Sequence, residues 1–250
     1  MRHLSNIGRI FYGVAIAAMG FLTIYYHDFP YMLIPPHHSW VNGLVILTYV
    51  SGTALFLAGA CIVFKKKIMP ASLLLGSVLL LIFCFYFIPY QFSASSNYMH
   101  FGAWENAEKE LALSSGAFII AGCFSQKNGF LRKLIPLGAI FFPITILCFG
   151  IDHLLYAKEA TAYMPSWVPN PMFWIYFTGL ALISSGTAII LKIKRGLAAT
   201  LLGSMIFIWV IILHIPKVIT APAADMGGEV TSAFLALAYC GIAFLIAGAT

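Results

Sequence analysis

The sequence predicts an all-α membrane protein: eight transmembrane helices forming two parallel four-helix repeats, with both termini cytoplasmic. Three observations predict it. The first is composition: 61% of the 250 residues are hydrophobic and only 9% are charged. An ordinary soluble domain has about 45–50% and about 25%. So few charges cannot cover so much apolar surface, and lipid is the remaining solvent. The second is segmentation. Eight stretches approach the roughly 20 mainly apolar residues that cross a bilayer as a helix: Ile7–Tyr26, Val41–Phe64, Pro70–Tyr90, Asn106–Phe124, Leu134–Ala157, Pro171–Leu191, Gly196–Pro216 and Val230–Ala249. Helices are required there, because hydrocarbon offers no partner to a free N–H or C=O. The alternating ~10-residue segments of a membrane barrel are not visible.

The third observation is that the chain contains one pattern twice. Gly8, Ile10, Phe11, Gly20, Tyr26 and Pro35 recur 130 positions later as Gly138, Ile140, Phe141, Gly150, Tyr156 and Pro165. After a three-residue length change the offset is 127. Tyr49, Gly52, Gly59, Lys65, Lys67, Gly76, Ile88 and Pro89 then match Tyr176, Gly179, Gly186, Lys192, Lys194, Gly203, Ile215 and Pro216. Apolar helices match Leu and Ile by chance, but not Gly, Pro and Lys in register, so the pattern reads as a tandem duplication. It divides the chain into repeats at 1–128 and 129–250. The first helix, whose copy lies mid-chain, belongs to the fold rather than to a cleaved signal peptide.

Charge sets the orientation. Arg2, Arg9, Lys65–Lys67, Lys127, Arg132, Lys133, Lys192, Lys194 and Arg195, 11 of the 14 basic residues, fall at one end of the helices. By the positive-inside rule that end is cytoplasmic. The net charge of +6 is therefore topology with an affinity for anionic headgroups, and no nucleic-acid footprint. All eight carboxylates fall at the opposite end: Asp28, Glu105, Glu108, Glu110, Asp152, Glu159, Asp225 and Glu229. Insertion bias explains this, as does an outward-facing polar vestibule.

Taken in order, helix one ends in Tyr25 and Tyr26, and the following loop ends at Trp40; both fit an interfacial aromatic belt. His27, Asp28, His37 and His38 lack the fixed geometry of a metal site, and no metal is expected. Helix two spaces Gly43, Gly52 and Gly59 for close approach by a neighbour, and helix six repeats the device with Gly179 and Gly186. Helix three closes on Phe83, Phe85, Tyr86 and Phe87. Helix four opens with Glu105, Glu108, Lys109 and Glu110. Glu105 and Lys109 are spaced for an i,i+4 ion pair, and acids suit a helix N-terminus, so this run reads as a cap at the membrane interface. The turn through Lys127, Arg132 and Lys133 links the repeats to helix five. Cys61, Cys84, Cys123, Cys148 and Cys240 show no paired spacing and read as small apolar fillers.

Within helix four, Trp104, Asn106, Lys109, Leu111-Ala112-Leu113 and Gly116-Ala117 resemble the fourth-helix signature of the DoxX-like membrane proteins. Gly150-Ile151-Asp152-His153, Met164-Pro165, Trp167, Pro169, Trp174, Gly179 and Gly186 are similar to the start of such a domain. The resemblance covers the whole chain when the four-helix unit is counted twice. It implies a multi-pass protein of a prokaryotic inner (cytoplasmic) membrane. It also implies a membrane subunit of a redox system linked to a quinone or a sulfur compound, served by a separate soluble partner subunit. Were the chain an enzyme, it would be a quinone-linked oxidoreductase subunit. The family supplies no catalytic residue to carry over.

The duplication also singles out residues. In helix five, Asp152 and His153 stand where the first repeat has Leu22 and Thr23. In helix seven, His214 and Lys217 stand where it has Phe87 and Tyr90. Ionisable groups inside a span cost several kcal/mol unless paired or hydrated. These should therefore face the interior, with His214 or Lys217 partnering Asp152. The candidate site is Asp152, His153, Tyr156, Trp209, His214, Lys217, Tyr86 and Glu105, near the outer face and formed chiefly by helices five and seven. Imidazole beside carboxylate can hydrogen-bond a quinone and exchange its protons. Three alternatives remain at this level: binding or transport of a lipid or small solute without redox chemistry, a purely structural network, and an assembly partner without activity of its own.

Overall fold

The computed structural model describes residues 2–30, 33–34, 45–93, 95, 99–124 and 134–249. Expectations for Val41, for His37 and His38, for Lys127, Arg132 and Lys133, and for the boundary at 128/129 lie outside the described residues. Those that are described form helices and no strand. Eight are long: α1 (Arg2–Tyr26), α2 (Val45–Phe64), α3 (Ile68–Ser93), α4 (Glu105–Cys123), α5 (Leu134–Leu155), α6 (Pro171–Ile190), α7 (Arg195–Thr220) and α8 (Met226–Gly248). Seven are long and apolar enough to cross a membrane, the architecture of a multi-pass membrane protein. The eighth, α4, is not among them, because Glu105, Glu108, Lys109 and Glu110 crowd its start.

Each helix packs antiparallel against its neighbour in sequence, and α8 returns to α1, so the helices close a ring; α4 and α8 also touch across its middle. The inner helices are the buried ones. Two-thirds of the membrane-length window of α8 is buried, 67%, against 22% for α2. The outer faces of α2 and α6 carry Ile46, Val50, Phe64, Phe173, Phe177 and Leu180, all exposed, as lipid-facing side chains must be.

Glycine sets the closest crossings. Gly20 of α1 meets Gly52 and Phe56 of α2, backbone to backbone, and Gly13 meets Gly59. Gly150 of α5 meets Gly179 and Ile183 of α6. Gly8 of α1 lies against Gly241 of α8, and Gly138 of α5 against Ser115 of α4. Two adjacent serines fix α4 on both sides: Ser114 Oγ donates to the Gly76 carbonyl of α3 at 2.8 Å, and Ser115 Oγ to the Gly138 carbonyl of α5. Both are fully buried. Arg9 of α1 donates through Nη1 to the Ile62 and Val63 carbonyls, satisfying the open C-terminus of α2.

Several backbone features occur at the 127-residue spacing. Lys65 and Lys67 take left-handed conformations with φ of 57° and 48°, as do Lys192 and Lys194 with 58° and 43°. Turns of π-helix interrupt α3 at Phe83–Phe87 and α7 at Val210–His214. Their cause is local. Pro89 and Pro216 follow, and a helical proline clashes with the carbonyl four residues back. Those carbonyls belong to Phe85 and Ile212, mid-way through each π turn, where the wider winding makes room.

The glycine crossings predict an asymmetric response to added volume. Gly20→Val forces α1 and α2 apart and should cost about 1–3 kcal/mol or more, read as a lower unfolding midpoint in detergent. Gly228, with nothing within 4 Å of an added Cβ, should accept Ala with no loss, because alanine suits a helix better than glycine.

Candidate functional site

The polar groups near the acidic end form two clusters, with Glu105 within electrostatic reach of both Asp152 and His153. Neighbouring residues on a helix point about 100° apart, and Asp152 and His153 diverge accordingly. Asp152 faces the α4 seam. Its electrostatic neighbours are Glu105, His100 and Lys109; the expected pairing with His214 or Lys217 is not among them. Glu105 Oε1 accepts a 2.6 Å ion pair from Lys109 Nζ, the i,i+4 bond read from the sequence. Lys109 also donates to Asn106 Oδ1 at 3.3 Å. Glu108 points to α5, where its carboxyl meets the Cys148 thiol, and Thr145 Oγ1 donates to its backbone carbonyl at 3.1 Å. His100 stacks on Tyr156, with ring centroids 4.3 Å apart and planes within 17°. This cluster stitches α4 to α5. Among the described residues no group of three or more His, Cys, Asp or Glu has the arrangement of a metal site.

The second cluster lies inside α5, α7 and α8. His153 Nδ1 sits 2.7 Å from the Phe149 carbonyl. A carbonyl only accepts, so Nδ1 carries the hydrogen and Nε2 is left as an acceptor. The imidazole lies parallel to the indole of Trp209 across the interior, centroids 6.5 Å apart and planes within 17°. Phe149 stacks on Tyr239 at 5.8 Å, and Tyr239 meets Phe142 edge-on at 5.7 Å, so that rings pack α5 against α8. Trp209 is the last residue before the π turn, and His214 closes that turn. His214 Nδ1 is buried without a hydrogen-bond partner among the described residues. The charged neighbour of His214 is Lys217, whose ammonium stands 4.8 Å over the Tyr163 ring near the surface. π turns often mark functional positions, because the extra residue re-aims a side chain into the bundle.

Of the eight candidate residues, His153 and Trp209 stack on each other, and His214 closes the π turn that follows Trp209, with Lys217 as its charged neighbour. Asp152, Glu105 and Tyr156 belong to the α4–α5 seam. Tyr86 lies in the π turn of α3, which packs on α2 and α4. Sequence reasoning missed the aromatic wall of Phe142, Phe149 and Tyr239, whose residue types are ordinary in a membrane core. It also placed Glu110 at the membrane interface. Glu110 is instead fully buried, with neither carboxyl oxygen hydrogen-bonded among the described residues. Tyr12, within electrostatic reach of it, gives its hydroxyl hydrogen to the Leu113 carbonyl.

No protein-family model, no curated protein and no solved structure matches this chain.

A carboxyl buried without a partner opposes folding. Replacing it with an apolar group of similar volume removes that desolvation cost of about 1–3 kcal/mol. Glu110→Leu should raise the unfolding midpoint in detergent, and Glu110→Gln should change it less.

Proposed function

We propose that the chain is a DoxX-like, eight-span protein of a prokaryotic inner membrane. It consists of two parallel four-helix repeats with both termini cytoplasmic, and α4 is the eighth span, shielded by its neighbours. The doubled left-handed lysines, π turns and glycine crossings support the duplication. The resemblance of Trp104–Ala117 to the family signature supports the kinship and, with it, a role as the membrane subunit of a redox system.

Its ligand is a quinone held between α5 and α7. The observation that carries this reading is the half-buried imidazole of His153, fixed through Nδ1 by the Phe149 carbonyl and lying parallel to the Trp209 indole. A quinone headgroup is a flat ring with an acceptor at each end. Trp209 and the facing rings suit its plane. His214 on the π turn has an unengaged nitrogen that, as N–H, donates to one carbonyl. After reduction, His153 Nε2 accepts from a quinol hydroxyl. Quinone takes two electrons and two protons to become quinol. The protons pass by way of the histidines, and the electrons come from a soluble partner subunit. Asp152 and Glu105 have no part in this; they hold the α4–α5 seam.

Titration of the purified protein with a short-chain ubiquinone analogue tests the reading through tryptophan fluorescence. Saturable quenching is expected, and Trp209→Phe should remove most of its amplitude. His153→Ala or His214→Ala should weaken binding about tenfold, about 1.4 kcal/mol, while Asp152→Asn leaves it unchanged. Unsaturable quenching, or affinity indifferent to both histidines, would sink the proposal and leave lipid binding or a structural role.

A further inference from the structure

A different feature lies at the basic end, far from the histidines. The loop joining α6 to α7 borders a shallow depression of about 500 Å³, open to the surroundings and lined by Lys192, Lys194, Arg195, Gly196 and Leu197. We infer that this loop is a binding site for the phosphate group of an anionic phospholipid of the surrounding leaflet.

Charge is the first argument. Three cations stand within four residues, and all eight carboxylates of the sequence belong to the opposite end of the helices. No acidic side chain therefore neutralises them from within the fold. Arg195 is half-buried, and its Nε and Nη2 make no hydrogen bond among the described residues. A guanidinium is a planar fork of donors matched to phosphate oxygens. The left-handed Lys192 and Lys194 turn the chain sharply, so that Lys192, Lys194 and Arg195 border one open depression.

The source of the phosphate is the second argument. Leu191, Ile193 and Leu197 alternate with the cations and are 60%, 58% and 55% exposed. Apolar side chains among charges suit the layer where headgroups meet acyl chains. Inorganic phosphate gains nothing from them.

The third argument is comparison within the molecule. The α2–α3 loop carries Lys65, Lys66 and Lys67, with Lys65 and Lys67 left-handed in the same way, but Ile68 occupies the place of Arg195 and is buried at 8% exposure. There Lys65 stands 5.8 Å over the Phe124 ring, and Arg9 closes the C-terminus of α2. Ala139 stands 130 residues after Arg9. General attraction of basic loops to the membrane would act on both turns. A headgroup site belongs to the second alone.

Native mass spectrometry of the full chain in detergent, titrated with phosphatidylglycerol or phosphatidylcholine, separates these. The first phosphatidylglycerol should bind about tenfold more tightly than phosphatidylcholine. Arg195→Ile, which copies the first loop, should abolish that preference, and so should Lys192→Gln with Lys194→Gln. The matched pair Lys65→Gln with Lys67→Gln should preserve it. Millimolar inorganic phosphate should not displace the lipid. Equal affinity for the two lipids, equal loss in both loops, or displacement by phosphate would overturn the inference. Circular dichroism of each variant confirms that helix content is retained. The outcome is independent of quinone binding.

Discussion

Two helices in hydrocarbon gain little by burying leucine against each other, because the lipid tails they displace are equally apolar. Association has to come from close contact and hydrogen bonding. In this chain that contact is made by backbone on backbone at Gly8, Gly20, Gly138 and Gly150. The rest of the structure depends on those crossings. They hold α1 to both α2 and α8, and α5 to both α4 and α6. Only inside such a ring does hydroxyl chemistry hold helices to one another, as Ser114, Ser115 and Tyr12 each give a hydrogen to a neighbouring helix's carbonyl.

The same packing explains why the two histidines and the carboxylates separate. A helix whose one face is pressed into a seam must present its next residue elsewhere. Asp152 falls on the α4 side, within electrostatic reach of Glu105, His100 and Lys109. His153, one position on, falls on the α7 side and meets Trp209. The site is therefore a product of helix phase as much as of residue type. The π turn of α7 adds to this, since its extra residue sets where His214 points relative to Trp209.

Much of this was legible in the sequence. The helices, their antiparallel order and the glycine crossings follow from apolar runs and from matched Gly and Pro positions. The i,i+4 bond of Glu105 and Lys109 follows from spacing alone. What was not legible depends on azimuth. Glu110 lies only five residues beyond Glu105, and a cap at the interface and a buried carboxyl look identical until the turning of α4 is known. The partner of Asp152 was misassigned for the same reason: depth along two helices was readable, but rotation about them was not. The π turns were hidden although their cause, a proline four residues before each helix end, was in plain sight.

The left-handed lysines set two demands on the same residues against each other. A left-handed backbone costs an ordinary residue about 1–2 kcal/mol, which glycine would avoid. At Lys65, Lys67, Lys192 and Lys194 the chain carries that strain in the finished protein and keeps four positive charges at the turns. Those charges matter earlier, while the nascent chain is choosing which way to enter the bilayer. The folded state is thus held slightly above its conformational minimum by residues that carry charge where glycine would carry none. Sequence changes that relax these turns would favour the mature molecule at the expense of its correct insertion.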